Sequence, residues 1–204
     1  MSRPTDFRRE RVYVGDVPVA GVIDWSKVCI RPIRADDGER LKASHARLSP
    51  ESRYRRFLAA KPELTPADAR YLVEVDGRDH FALVATLDDG EESIVAVTRF
   101  VRVPGRPDTA EFAIVVGDDF QGQGLATELL RRLALAARAR GITRFRATML
   151  ADNVAVRRML ERLAVGRPST RLLGTVLEME IELPDVDGLV DRAAPAMIAA
   201  CAGS

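Results

Sequence analysis

The sequence predicts an α/β (α+β) fold, a mixed sheet with helices on both faces, and three observations predict it. An apolar, β-branched run at 112–116 reads as a buried strand. A glycine loop follows, and residues 127–140 then read as a helix, with Leu125, Leu129, Leu133 and Ala136 one turn apart as on a buried face. Elsewhere the chain passes repeatedly between strand-like and helix-like periodicity. At 204 residues with 47% hydrophobic content it is long enough to bury a core and form a cleft.

Residues 1–26 read as an extension, with an apolar stretch at 12–14 and with Pro18 and Gly21 as breakers. Residues 28–33 alternate as a strand. Asp36 with Glu39 three positions on has the form of a capping box, and Leu41 and Leu48 support the helix behind it. Ser49-Pro50 opens a second helix through Tyr54 and Phe57. Thr65-Pro66 with Asp68 opens a third, ending near Asp76-Gly77. Residues 81–87 and 94–103 form a hairpin about Asp88-Asp89-Gly90, and 104–107 a loop.

The central strand and the long helix come next, the helix stopping at Gly141. A strand at 143–149, a helix at 153–163 and a closing strand at 175–183 complete the pattern, with a weaker strand just before the last. From Pro184 the periodicity fades toward a weak helix at 189–200. The expected organisation is an extension at 1–26, a domain at 27–183 and a tail at 184–204.

A formal net charge of +1 gives no general reason to expect nucleic acid or an anionic membrane as partner. Two cysteines, Cys29 and Cys201, and two histidines, without ligand spacing, argue against a metal. The first ten residues are polar and charged rather than a signal peptide, and no apolar run reaches membrane-spanning length. A soluble, cytoplasmic protein of unknown oligomeric state is the expectation.

The loop carries the chemistry. Gln121, Gly122, Gln123, Gly124, Leu125 and Ala126 lie between a strand and a helix start near Thr127. Glycines allow close backbone approach, and the unpaired N–H groups of a first helical turn point where the positive dipole end points. A phosphate or pyrophosphate suits such a site. A P-loop would need Lys-Ser or Lys-Thr after the last glycine, and a dinucleotide fingerprint a third glycine; neither is present.

The spacing Gln121-x-x-Gly124-x-Ala126 resembles the pyrophosphate loop of the GNAT superfamily of N-acetyltransferases, which bind acetyl-CoA. The resemblance runs over about 28–165. It takes in Ile30-Arg31-Pro32-Ile33-Arg34-Ala35-Asp36-Asp37, Ser52-Arg53-Tyr54-Arg55-Arg56-Phe57, Ala110-Glu111-Phe112-Ala113-Ile114-Val115-Val116 and Ala151-Asp152-Asn153. This set is most similar to the acetyltransferase domain of bacterial Pat-type protein lysine acetyltransferases. The resemblance implies a mostly antiparallel sheet of about six to seven strands, splayed at its centre. It implies acetyl-CoA as cosubstrate and a protein with an exposed lysine, or a small amine, as acceptor.

A lysine-like amine must first lose a proton, which at pH 7 costs roughly 4–5 kcal/mol. Glu111 is the candidate general base: it shares a strand face with Ala113 and Val115, an odd place for an unpaired carboxylate, and it matches the family's glutamate. The ordinary reading is a strand-end residue or an arginine's partner. The resemblance assigns main-chain N–H groups of Ile114, Val115 and Val116 to the thioester carbonyl. It assigns Asn153 to the pantetheine arm, although Asn suits a helix N-cap equally.

Three positions depart from the pattern. Leu160 stands where many relatives place a tyrosine general acid, Ala164 where a glycine is usual, and Leu58 where a second phenylalanine is usual. Arg157, Arg158 and Arg162 read as a solvated helix face, Tyr54 and Phe57 as core or channel wall, and His45 and His80 as isolated. Two further functions stay open, an aminoglycoside or other small-amine acetyltransferase and a non-catalytic acyl-CoA sensor.

Overall fold

Strands with apolar residues at successive positions need cover on both faces, and that demand sets the architecture. In β4 (His80–Asp88), Phe81, Leu83 and Ala85 point into one core while Ala82 and Val84 point into another. The computed structural model describes residues 13–14, 17–18, 23–88 and 91–191. A seven-stranded sheet runs through it, in the order β3-β4-β5-β6-β7-β9-β8. Its members are β3 (Val28–Pro32), β4, β5 (Glu92–Val103), β6 (Arg106–Val116), β7 (Arg144–Leu150), β8 (Val165–Leu173) and β9 (Val176–Glu182). Every pairing is antiparallel except β6 with β7.

Helices α4 (Leu125–Arg138) and α5 (Val154–Leu163) cover the larger core, in which Leu129, Leu133, Leu160 and Leu163 are buried. Helices α1 (Gly38–Ala46) and α3 (Pro66–Val73) cover the smaller core on the opposite face, and α2 (Pro50–Phe57) packs over β6 and β7. Ser49 and Thr65 cap α2 and α3 as their sequences predict, each side chain accepting a backbone N–H at the third position.

Several boundaries differ from the sequence expectation for local reasons. Helix α3 ends at Val73 because Asp76 Oδ1 accepts the amides of Arg78, Asp79 and His80, which builds a turn there instead. Strand β6 begins at Arg106, so the loop shrinks to Pro104-Gly105, with Gly105 at φ 75°. Helix α4 begins at Leu125 and takes in the last two residues of the glycine loop. The capping bond lies in a 3-10 turn at Ala35–Asp37 that precedes α1 and is not made by Asp36. Asp37 Oδ2 accepts the Arg34 amide at 2.8 Å, and as N-cap of α1 Asp37 makes no side-chain bond to that helix.

In the extension, β1 (Tyr13–Val14) pairs with β2 (Val17–Pro18). In the expected tail, α6 (Val186–Asp191) packs on α4, with Leu189 fully buried and its carbonyl accepting from Arg131. Residues 89–90 of the hairpin tip and 192–204 of the weak helix and tail lie outside the described residues.

Arg31 and Asp37 lock β3 to the start of α1. Arg31 Nη1 and Nη2 donate to Asp37 Oδ2 and Oδ1 at 2.7 and 2.8 Å, and its Nε donates to Glu92 at 2.8 Å. Both partners are buried, Asp37 completely. Burial pushes the Asp37 carboxyl up, but the Arg31 guanidinium and the Arg34 amide outweigh it and hold it below the usual range. Glu92 is held low chiefly by its hydrogen bond to Arg31. Asp37→Asn removes the bidentate partner and leaves the buried Arg31 with Glu92 alone, so it is expected to cost about 3 kcal/mol in urea unfolding. Both carboxyls have depressed folded values, so their contribution is complete above the unfolded pKa of about 4 and is lost as pH falls through the folded ones. The stability of the unaltered protein should therefore drop below about pH 4 more steeply than that of the variant.

Candidate functional site

Strand β6 positions the centre of the site. Along one edge it pairs with β5 over most of its length, from Ala110 to Val116. Along the other it pairs with β7 at Thr109, Ala110 and Glu111 only, opposite Arg144, Phe145 and Arg146. Beyond Glu111 the two parallel strands part, and the main chain of Ile114, Val115 and Val116 has no β7 partner. The splay expected of the central strands is thus present. Main-chain groups alternate between the two edges of a strand, and the Gly117 amide donates to the Val95 carbonyl of β5. Val115 therefore turns its main chain to Val97 of β5 while Ile114 and Val116 face the opening; the expectation for Val115 does not hold.

Glu111 stands at the point of divergence. The expectation of an unpaired carboxylate in a buried environment does not hold. Its side chain is 58% exposed and accepts from Arg146 Nη2 at 2.5 Å, because the register places Arg146 directly beside it. Cross-strand partners share a face, so Glu111, Ala113 and Val115 of β6 lie on the same side as Val101, Arg99 and Val97 of β5. That side opens a cleft of about 390 Å³, walled by α2, α3 and the strands and lined by Phe57, Tyr71, Arg99, Glu111, Arg146 and Thr148 among others.

The C-terminal end of β6 leads into the glycine loop. Gly122 and Gly124 adopt φ 73° and 88°, a region that other residues enter only with strain. Gly124 is the N-cap of α4 and offers no side chain to cap it. The first bond of the helix runs from the Glu128 N–H to the Gly124 carbonyl. Among the described residues, no protein acceptor takes the N–H groups of Gly122, Gln123, Gly124, Leu125, Ala126 or Thr127. Six donors thus collect at a positive helix end, an arrangement suited to a phosphate or diphosphate.

The two glutamine side chains turn inward. Gln121 Nε2 donates to Val116 O and Ser52 Oγ at 3.1 and 3.2 Å, and Gln123 Oε1 accepts the Ile23 amide at 2.6 Å. They shape the loop and leave its main-chain amides open. Asp118 reinforces this: its carboxylate accepts from the Ser49 amide and from Ser49 and Ser52 Oγ, joining the loop to the start of α2.

Asn153 is the N-cap of α5, its Oδ1 accepting the Val156 amide at 3.3 Å, and it is largely buried. The capping role is therefore real, and Nδ2 remains for another partner. Leu160 is completely buried in the larger core. Ala164 ends α5 at φ −56°, ψ 144°, where glycine has no conformational advantage. Leu58, the C-cap of α2, is left-handed at φ 52° and is the one non-glycine residue at positive φ among those described.

Arg158 and Arg162 lie on the exposed face of α5, and Arg157 is half-buried beside Glu161. His45 Nε2 meets the Lys61 carbonyl at 2.9 Å, and Arg99 Nη1 donates to His80 Nε2 at 3.0 Å, so neither histidine is isolated. Sequence reading missed Arg99 as a cleft residue. A lone charge within the apolar run from Ile94 to Val101 was the available signal.

A family model described as the acetyltransferase (GNAT) domain matches residues 27–165. Over 158 residues the chain is 37% identical to the acetyltransferase Pat of Mycolicibacterium smegmatis, covering 78% of this chain and 46% of that protein. The chain thus spans about half the length of that relative. An acetyltransferase of Pseudomonas aeruginosa is 36% identical over 146 residues, 71% of this chain and 76% of its own. Among solved structures, the GNAT domain of S. lividans PAT superposes with a TM-score of 0.67 at 31% identity. That match covers 76% of this chain and 89% of the other.

A Cβ added at Gly124 would meet Trp25 Cζ2 at an ordinary 3.9 Å, so substitution there is opposed by backbone strain and not by a clash. Gly124→Ala is expected to lower stability by about 1–2 kcal/mol in denaturant unfolding, with the fold kept.

Proposed function

The chain belongs to the GNAT acetyltransferase family, and we propose that it transfers acetyl from acetyl-CoA to a lysine side chain of a protein. The observation that carries this reading is the pairing of two features across the end of β6. One is the set of unpaired amides at the tip of α4; the other is the cleft that presents Glu111 where β6 and β7 part. The similarity to a protein named Pat supports lysine as the acceptor.

The loop amides from Gly122 to Thr127, with Gln121 fixing the loop's shape, would hold the diphosphate of the coenzyme. Asn153 Nδ2 would meet its pantetheine arm. Acetyl-CoA supplies an acetyl group already activated as a thioester. The main-chain N–H groups of Ile114 and Val116, which alternate toward the opening, would donate to the carbonyl oxygen, where fixed dipoles are most effective.

Glu111 would accept the proton of the acceptor ammonium, directly or through water. Its exposure in the cleft suits that task, since a base must be reached by the amine it serves. Arg146 holds the carboxylate by one oxygen, Oε1, leaving the other for the amine. Transfer would be direct, in a ternary complex, since among the described residues no cysteine lines the cleft to carry the acyl group.

Free-thiol release from acetyl-CoA with lysine peptides tests the reading. Glu111→Gln is expected to lower kcat by about 10²–10⁴-fold while calorimetry finds acetyl-CoA affinity unchanged; undiminished turnover would remove Glu111 from the reaction. Gly124→Leu should weaken acetyl-CoA at least about tenfold by disturbing the helix tip, and an intact affinity would take the loop out of the account.

A further inference from the structure

The charges that line the cleft do not balance. Lys61 Nζ pairs with Asp68 at 2.7 Å and Arg146 pairs with Glu111, so these four cancel. Two cations remain, Arg56 from α2 and Arg99 from β5, and among the described residues neither has a carboxylate partner. Arg99 is only 5% exposed. Its Nη2 donates to the Leu72 carbonyl at 3.1 Å and its Nη1 to His80, but among the described residues its Nε has no acceptor. Arg56 is half-buried, its guanidinium 5.0 Å from the centre of the Phe57 ring, with no hydrogen-bond acceptor among the described residues.

Such an arrangement is costly by itself. Burial, together with the neighbouring Arg56, pushes the Arg99 guanidinium down to about 9, and burial likewise pushes Arg56 down. His80 offers no relief, because a ring that accepts from an arginine is neutral. A buried cation without an anion is destabilising unless something supplies the opposite charge. A guanidinium's fork of donors matches a carboxylate in shape.

Position completes the argument. Arg99 is opposite Ala113 in the β5–β6 register, and Glu111 is two residues from Ala113 on the same face. The two residues are thus diagonal neighbours, their Cα atoms roughly 7–8 Å apart. An amine delivered to Glu111 would bring a carboxylate a few bonds away to the two arginines.

We propose that Arg56 and Arg99 form a carboxylate-recognition site in the acceptor cleft, so that the preferred acceptor amine carries an acidic group close to it. This rests on the reading of the cleft as the acceptor site. The acid comes either from a residue beside the target lysine or from the α-carboxylate of a free amino acid, and the same chemistry serves both.

The test compares acceptors that differ only in that charge. One pair is a lysine peptide flanked by glutamate and the same peptide flanked by glutamine; the other is free lysine and lysinamide. In the unaltered protein kcat/KM should favour the acid member of at least one pair by tenfold or more, and the pair that shows the preference identifies the source. In Arg56→Gln the ratio should fall toward one, and in Arg99→Lys it should fall in part. A general structural defect would lower both members alike and leave the ratio in place. A ratio near one in the unaltered protein, or one that Arg56→Gln leaves unchanged, overturns the proposal. Calorimetry of the acidic peptide without coenzyme, on the unaltered protein and Arg56→Gln, reads the charge preference apart from transfer. Failure of acetyl-CoA itself to bind would instead sink the acetyltransferase reading.

Discussion

Everything in the site follows from how short the contact between β6 and β7 is. Three residue pairs join the two strands, and then they separate. A sheet that stayed closed would hydrogen-bond the main chain of β6 on both edges and leave no room for a substrate. Parallel neighbours need a crossover connection, and here α4 supplies it, lying over the larger core with its N-terminus at the end of β6. One event in the topology thus creates the opening, exposes backbone donors along it, and brings a positive helix end to its rim.

The opening is held by rigid parts. Phe112 stacks on Phe145 across the β6–β7 junction at 5.6 Å, and Phe100 lies 6.3 Å from the same ring, so the closed end of the fork is packed with aromatic area. On the opposite face Glu111 and Arg146 sit over the same three-pair contact. The far side of the sheet is tied down by Arg31 and Asp37, whose buried bidentate contact fixes the entry to α1. Polar atoms left open within the cleft are therefore exceptions in a framework that satisfies most others.

Most of the fold was legible in the sequence because its signals are local. Ser49-Pro50 and Thr65-Pro66 announce α2 and α3, and the run at 112–116 has the apolar character of a buried strand, while α4 ends at Arg138, short of the expected stop at Gly141. Boundaries that moved were set by hydrogen bonds between residues close in sequence but outside the periodic pattern, as at Asp76 and Asp37. The glycine loop was legible because φ near 73° and 88° demands glycine. What could not be read was pairing across the sheet. Arg146 lies 35 residues from Glu111, so the partner of that carboxylate is fixed by register alone. Arg99 and Arg56 likewise converge only once β5 and α2 are packed.

Asp118 and Gln121 give the molecule a mechanical property. Through Ser49 and Ser52 they fasten the first turn of α2 to the segment between β6 and α4. Helix α2 carries Arg56 and Phe57 at its other end, so one short rod touches both halves of the cavity system. The glycine loop and the residues that α2 brings to the cleft are therefore parts of one tethered unit.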